Sequence, residues 1–302
     1  MKIKYMYNLI NTLLRRSAWY NNILFPDCRK FWKQSHFNLD IVNLGSSSAK
    51  YAFSYDKFDI KSANWAMAPQ SLSADFALLQ NYYSYLKPEG ATVIIPLCFF
   101  SSLGGADDDF DDKYYTLLKF SSIPHGSKRK KLKTIDSQIN PIKYFPLWGI
   151  VYEIKHFLTC LKSSKTNEVD IKTSARMLID SWMKEFSLYD LDNTLDIVNR
   201  DRFIQSKAVL SNIIDFCIKK SIKVVIVVPP ATKCLLEYFS ESALETYVES
   251  FVSEAVKKGV QYINYLNNDE FKDLDHFTNA LFLNDKGADI FTNRVLSDLG
   301  II

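Results

Sequence analysis

The chain has 302 residues, 47% of them apolar and 24% charged, which is enough to bury one large core or two modest ones. Its 37 Lys/Arg against 34 Asp/Glu leave a formal charge of +3, too even a balance for a nucleic-acid-binding protein, so nucleic acid is not an expected partner. The five cysteines (Cys28, Cys98, Cys160, Cys217, Cys234) are odd in number and lack a C-x-x-C pair, which argues against a disulfide framework and against a zinc site. No stretch reaches the roughly 18 to 20 apolar residues that span a bilayer, and no compact apolar leader with a small-residue cleavage site opens the chain. The expected location is therefore the reducing cytoplasm.

Residues 1–37 read as a basic, aromatic extension (Lys4, Arg15, Arg16, Trp19, Tyr20, Trp32), with apolar positions at helical spacing from Tyr5 to Leu14. Such a helix either packs on the main domain or makes peripheral contact with a membrane surface. Residues 38–302 form the main domain. A first buried strand is predicted over Leu39–Leu44. The small residues Gly45-Ser46-Ser47-Ser48 then turn the chain tightly into the next element. A hydroxyl there stands at a strand's C-terminal end, where open α/β sheets bind ligands. Asn64-Trp65-Ala66-Met67 is a candidate fifth strand. Ser73–Leu86 has helical spacing, stops at Lys87-Pro88-Glu89-Gly90 and leads into a strand at Ala91–Leu97.

Between about 102 and 190 the strand-helix rhythm stops. An acidic cluster (Asp107, Asp108, Asp109, Asp111, Asp112) and a basic one (Lys128, Arg129, Lys130, Lys131, Lys133) precede aromatic and apolar stretches, predicting a mostly helical insertion that could lid a site. The acidic cluster would need further ligands to hold a metal, and neither a metal nor a cofactor is expected. The rhythm then resumes with a helix over Asn193–Lys220, a strand at Lys223–Val228 ended by Pro229-Pro230, a helix over Glu241–Lys258 and a strand at Val260–Leu266. Strands alternating with helices predict an α/β fold, a flavodoxin-like three-layer sandwich around a parallel sheet of about five strands. Finally, Asn284 is a plausible cap for a closing helix with Ile290, Phe291, Val295 and Leu296 on one face.

Asp273 and His276 stand in D-x-x-H spacing, close enough for the carboxylate to orient the imidazole so that it can deprotonate a serine hydroxyl. The remaining histidines read otherwise: His36 precedes the first strand, His125 sits in a loop, and His156 is a partly exposed residue of a helix in the insertion. Cys98 between Leu97 and Phe99 reads as a buried, inert thiol.

Over residues 38–104 and 205–302 these features resemble the SGNH (GDSL-like) hydrolase superfamily, nearest in pattern to its acyl-transfer branch from cell-envelope polysaccharide and teichoic acid pathways. Gly45-Ser46-Ser47 matches the Gly-Ser-Ser form of the nucleophile motif and makes Ser47 the nucleophile slot. Leu283-Asn284, Gly287-Ala288 and Phe291-Thr292 match the tail that follows the family's Asp-x-x-His. The resemblance implies a serine esterase or O-acyltransferase acting on a carbohydrate or acylated precursor, with Ser47, His276 and Asp273 as the triad. Asn64 and Gln70 are the candidate oxyanion donors, beside the Ser47 backbone N–H. The sequence departs from the pattern where the family's Asp and His should directly precede Leu283. Those positions hold Asn279 and Phe282, and the only D-x-x-H lies six residues too early. Either the displaced pair still reaches Ser47, or the base is lost and the chain binds a glycan or a partner without cutting it. A nucleotide-binding module is disfavoured by the lack of a Gly-rich phosphate loop.

Overall fold

The computed structural model of the chain describes residues 2–34, 37–160, 168–192 and 195–302. His36 and Asn193, the expected start of the third core helix, lie outside the described residues. Five strands are present: β1 (Ile41–Asn43), β2 (Ser62–Asn64), β3 (Thr92–Pro96), β4 (Lys223–Val228) and β5 (Gln261–Asn264). Nine helices carry the argument: α1 (Lys2–Leu14), α2 (Ser47–Ala52), α3 (Leu72–Tyr82), α4 (Lys128–Ile139), α5 (Trp148–Cys160), α6 (Glu168–Glu185), α7 (Ile197–Lys219), α8 (Ser250–Lys257) and α9 (Asp285–Asp298).

The chain divides into two compact units. Unit 1 comprises residues 1–34 and 108–165, and unit 2 comprises residues 35–107 and 166–302.

Unit 2 is an α/β sandwich on one parallel sheet in the order β2-β1-β3-β4-β5, the doubly wound flavodoxin-like order. The central strands Thr-Val-Ile-Ile-Pro and Lys-Val-Val-Ile-Val-Val are buried almost throughout, as strands covered on both faces must be. Each fully buried Val or Ile there contributes about 1.5–3 kcal/mol by leaving water. On one face Ile41, Ile94, Val225 and Val227 join Phe53, Phe291 and Val295 in a single apolar cluster that seats α2 and α9. On the other, α7 packs against α3, α8 and β4. Helix starts are fixed by side-chain caps. Ser71 accepts from Ala74 N–H at α3, Asp196 from Asn199 N–H at α7, and Asn284 from Gly287 N–H at α9. Each such cap stabilises by about 1 kcal/mol.

β4 spans the expected residues, and the other core strands fall inside their expected runs, trimmed by one or two residues at the ends. The second strand lies two residues earlier than the apolar piece that predicted it. Ser62-Ala63-Asn64 pairs with β1, and past it Trp65 N–H donates to Asn43 O and Met67 N–H to Gly45 O. That arrangement brings the β2 end against the serine turn.

In unit 1, α1 lies against the segment around Pro141–Lys143. Asn11 Oδ1 accepts from Ile142 N–H, the Arg15 guanidinium donates to Gln138 O and Ile139 O, and the Glu153 carboxylate accepts the Ala18 and Trp19 N–H groups. The Trp19 ring meets Phe145 edge-on at 5.0 Å.

Candidate active site

β1 ends in a turn that only glycine accommodates. Gly45 has φ +111°, and a Cβ built on it would lie 2.7 Å from Ala49 Cβ and 3.4 Å from Pro96 Cδ. Its N–H donates inward to Asp75 Oδ1 at 2.8 Å, and its C=O accepts from Met67 N–H at 3.1 Å. The turn is thus locked from both sides before the first serine.

The three serines then part company. Ser46 precedes α2 in an extended conformation, and its Oγ accepts the Gln70 N–H at 3.1 Å, strapping the loop after β2 to the turn. Ser47 is the first residue of α2, half-buried, and its hydroxyl makes no hydrogen bond among the described residues. Ser48 is buried. Of the three hydroxyls, Ser47 has the freedom and partial exposure a ligand-facing group needs.

The two side chains expected to donate to an oxyanion are engaged elsewhere. Asn64 Nδ2 donates to Lys50 O at 3.2 Å and Phe53 O at 3.0 Å. Its Oδ1 accepts from Asn43 Nδ2 and Ala66 N–H, so the side chain ties the β2 end to the end of α2. Gln70 Nε2 donates to Asp75 Oδ1, with a longer contact to Trp65 O. Both amide groups face inward. The Gln70 amide serves Asp75, a carboxylate with 1% exposure that the Gly45 N–H also holds. Burial raises the Asp75 carboxyl, and with these two donors pulling against it the net position is about 7. Sequence reasoning missed Asp75. The available signal was its place in line with Leu72, Leu78, Leu79 and Tyr82 on the buried stripe of α3, where a charge is unusual.

The C-terminal half of the site is a short hairpin. Phe277 bridges Leu283, and Thr278 N–H donates to Phe282 O at 2.8 Å. Ala280 at the tip receives both the N–H and the hydroxyl of Thr232, just past β4, and donates its own N–H to Ser174 on α6. Asn279 Oδ1 accepts the N–H groups of Leu281 and Phe282, closing the turn on itself. This fastening lays the Phe282 ring against Tyr51 of α2, with centroids 5.0 Å apart and planes 31° apart. Tyr51 is four residues after Ser47, so both occupy one face of the helix.

The intact Asp273–His276 pair sits at the base of the hairpin. Asp273 Oδ1 accepts from Asp275 N–H at 2.9 Å, capping its own turn. His276 O accepts from Asn284 N–H at 2.9 Å. Gly287 passes so close that a Cβ on it would lie 2.2 Å from that oxygen. The His276 ring is buried, 6.3 Å from the Phe271 ring, and its Nδ1 has no hydrogen-bond partner. Among the described residues no side-chain hydrogen bond joins His276 to Asp273 or to Ser47. The Phe282–Tyr51 contact thus brings the 279–282 turn to the helix that starts with Ser47.

Cys98, expected to be a buried, inert thiol, is half-buried with its Sγ 3.4 Å from Ser101 Oγ. No group of three His, Cys, Asp or Glu side chains capable of holding a metal is present among the described residues. No protein-family model and no curated protein matches the chain.

Proposed function

We propose that the chain is an SGNH-like protein that holds a carbohydrate or acylated envelope-polysaccharide precursor at its serine turn without cleaving it. The observation that carries this reading is the Phe282 ring on Tyr51, one helical turn from Ser47. The position that the resemblance gives to the general base is filled by a side chain that takes no proton, which forfeits the roughly 10²- to 10⁴-fold that such a base supplies. The same side chains suit binding. Tyr51 is 43% exposed, and with Phe282 it offers an apolar ring surface beside a hydroxyl that can both donate and accept, the combination that sugar faces and acyl groups engage.

A second reading is favoured by the unpartnered Nδ1 of His276. There the chain is an esterase or O-acyltransferase. Ser47 Oγ attacks an acyl carbonyl, His276 takes its proton and returns it to the leaving oxygen, and a sugar hydroxyl or water then accepts the acyl group. This route requires the His276 imidazole to stand within hydrogen-bond reach of Ser47 Oγ.

Intact-mass measurement after exposure to a fluorophosphonate serine probe separates the two. The binding reading expects no adduct on the folded protein. A single adduct lost in both Ser47→Ala and His276→Ala would overturn it in favour of the hydrolase.

A further inference from the structure

Unit 1 carries a surface that the serine turn does not explain. On α5 and the residue before it, Leu147, Trp148, Ile150, Val151, Ile154 and Phe157 are all more than half exposed. Their spacing, i, i+3, i+4, i+7, is that of an apolar stripe normally turned to a core, but here it faces solvent. α1 repeats the arrangement. Asn11 and the half-buried Tyr7, Ile10 and Leu14 pack inward, while Tyr5, Met6, Leu9 and Leu13 point outward. A soluble protein rarely leaves apolar stripes of this length uncovered without a partner.

Charge indicates the partner. Residues 1–34 and 108–165 hold 18 Lys/Arg and 7 Asp/Glu, a net +11, while the rest of the chain holds 19 and 27, a net −8. The near-neutral total conceals a strongly basic unit and an acidic one. Unit 1 also has a cleft lined by Arg15, Arg16, Arg29, Tyr20 and Trp32. Arg15 is committed to backbone carbonyls, but Arg16 and Arg29 have no acidic partner among the described residues. Two unpaired guanidinium groups in an aromatic-walled cleft match a phosphate monoanion. A symmetric dimer through this face would press two +11 surfaces together, which disfavours a second copy as the occupant.

We propose that unit 1 docks on an anionic lipid bilayer, with α5 lying in the headgroup plane and the Arg16–Arg29 cleft taking lipid phosphate. At 13 residues, α5 is about 20 Å long against a hydrocarbon core of about 30 Å, so it lies on the membrane and does not cross it. Trp148 near its start and Phe157 near its end are the aromatic anchors expected at a lipid–water boundary. This inference is independent of the chemistry at Ser47.

The test is co-sedimentation of the full chain with vesicles of equal parts phosphatidylglycerol and phosphatidylcholine, and with phosphatidylcholine alone. Wild type should pellet with the anionic vesicles and much less with the neutral ones. Ile150→Ser/Ile154→Ser/Phe157→Ser, all exposed positions, should keep the wild-type circular dichroism and weaken vesicle binding by about tenfold or more. Arg16→Glu/Arg29→Glu should erase the preference for anionic lipid. Wild type that stays in the supernatant with anionic vesicles, or a triple variant that binds as wild type does, overturns the proposal. So does a wild-type dimer that ignores vesicles and is split by the triple substitution, which would assign the face to a second copy.

Discussion

Two tetrads six residues apart divide between them what a catalytic pair requires. Asp273-Leu274-Asp275-His276 has the titrating groups, but Asp273 caps its own turn and the His276 ring is buried beside Phe271. Asn279-Ala280-Leu281-Phe282 has the position, pinned at Thr232 and Ser174 and laid on the Ser47 helix, but no group that accepts a proton from serine. The difference teaches that spacing along the chain identifies chemistry only when the backbone delivers it, and here the hairpin from Phe277 to Leu283 lays the second tetrad on the Ser47 helix.

The most forceful way to break the comparison is to give the well-placed tetrad the missing groups. Asn279→Asp/Phe282→His should make Ser47 label with a fluorophosphonate at a rate about 10²-fold or more above wild type, and adding Ser47→Ala should abolish it. Next in size is the turn itself. Gly45→Ala forces a left-handed φ on a residue with a Cβ against Ala49, and should lower the unfolding free energy by about 2–4 kcal/mol in urea titration.

Asp75 gives a pH signature. Its folded carboxyl titrates at about 7 against the 3.8 of an ordinary aspartate, so between these values the folded state holds a proton that the unfolded state has already lost. Unfolding free energy should therefore fall as pH rises from about 4 to about 7 and level off above, by an amount on the order of a few kcal/mol. Asp75→Asn should flatten that slope in denaturant titrations across the window. The smallest effect is expected at the Asp273–His276 tetrad. His276→Phe removes a buried nitrogen without a partner and should leave the melting temperature unchanged or raise it by a few degrees, about 1 kcal/mol, whereas a catalytic His276 would reveal itself by lost labelling.

Much of the fold was legible because unit 2 obeys simple periodicities. Runs such as Lys223–Val228 can only be covered strands, and Asn284 followed by Gly287 caps a helix as its residue types suggest. β2 was harder, since Ser62-Ala63-Asn64 carries almost no strand signal and owes its place to backbone pairing with β1. At the site, Gly45 declared itself because no other residue fits a tight strand-to-helix turn. Asp75 did not, because its place on the apolar stripe of α3 says that it is buried but not that Gly45 and Gln70 are the groups that hold it. The inward commitment of Asn64 and Gln70 was equally hidden, as an amide's partners depend on which loops fold back over it. Nor did the overall charge of +3 disclose a division into +11 and −8, which requires knowing that residues 1–34 and 108–165 belong together.

That discontinuous makeup also governs the order in which the molecule can be completed. The partners that fasten the first helical segment, Ile142 for Asn11 and Glu153 for Trp19, lie 131 and 134 residues further along the chain. Closing loops of that length is slow compared with forming either helix, so unit 1 is finished late and as a whole. Removing the first 34 residues would therefore amount to taking one side off a two-sided structure, leaving residues 108–165 with apolar surface that the missing segment was there to cover.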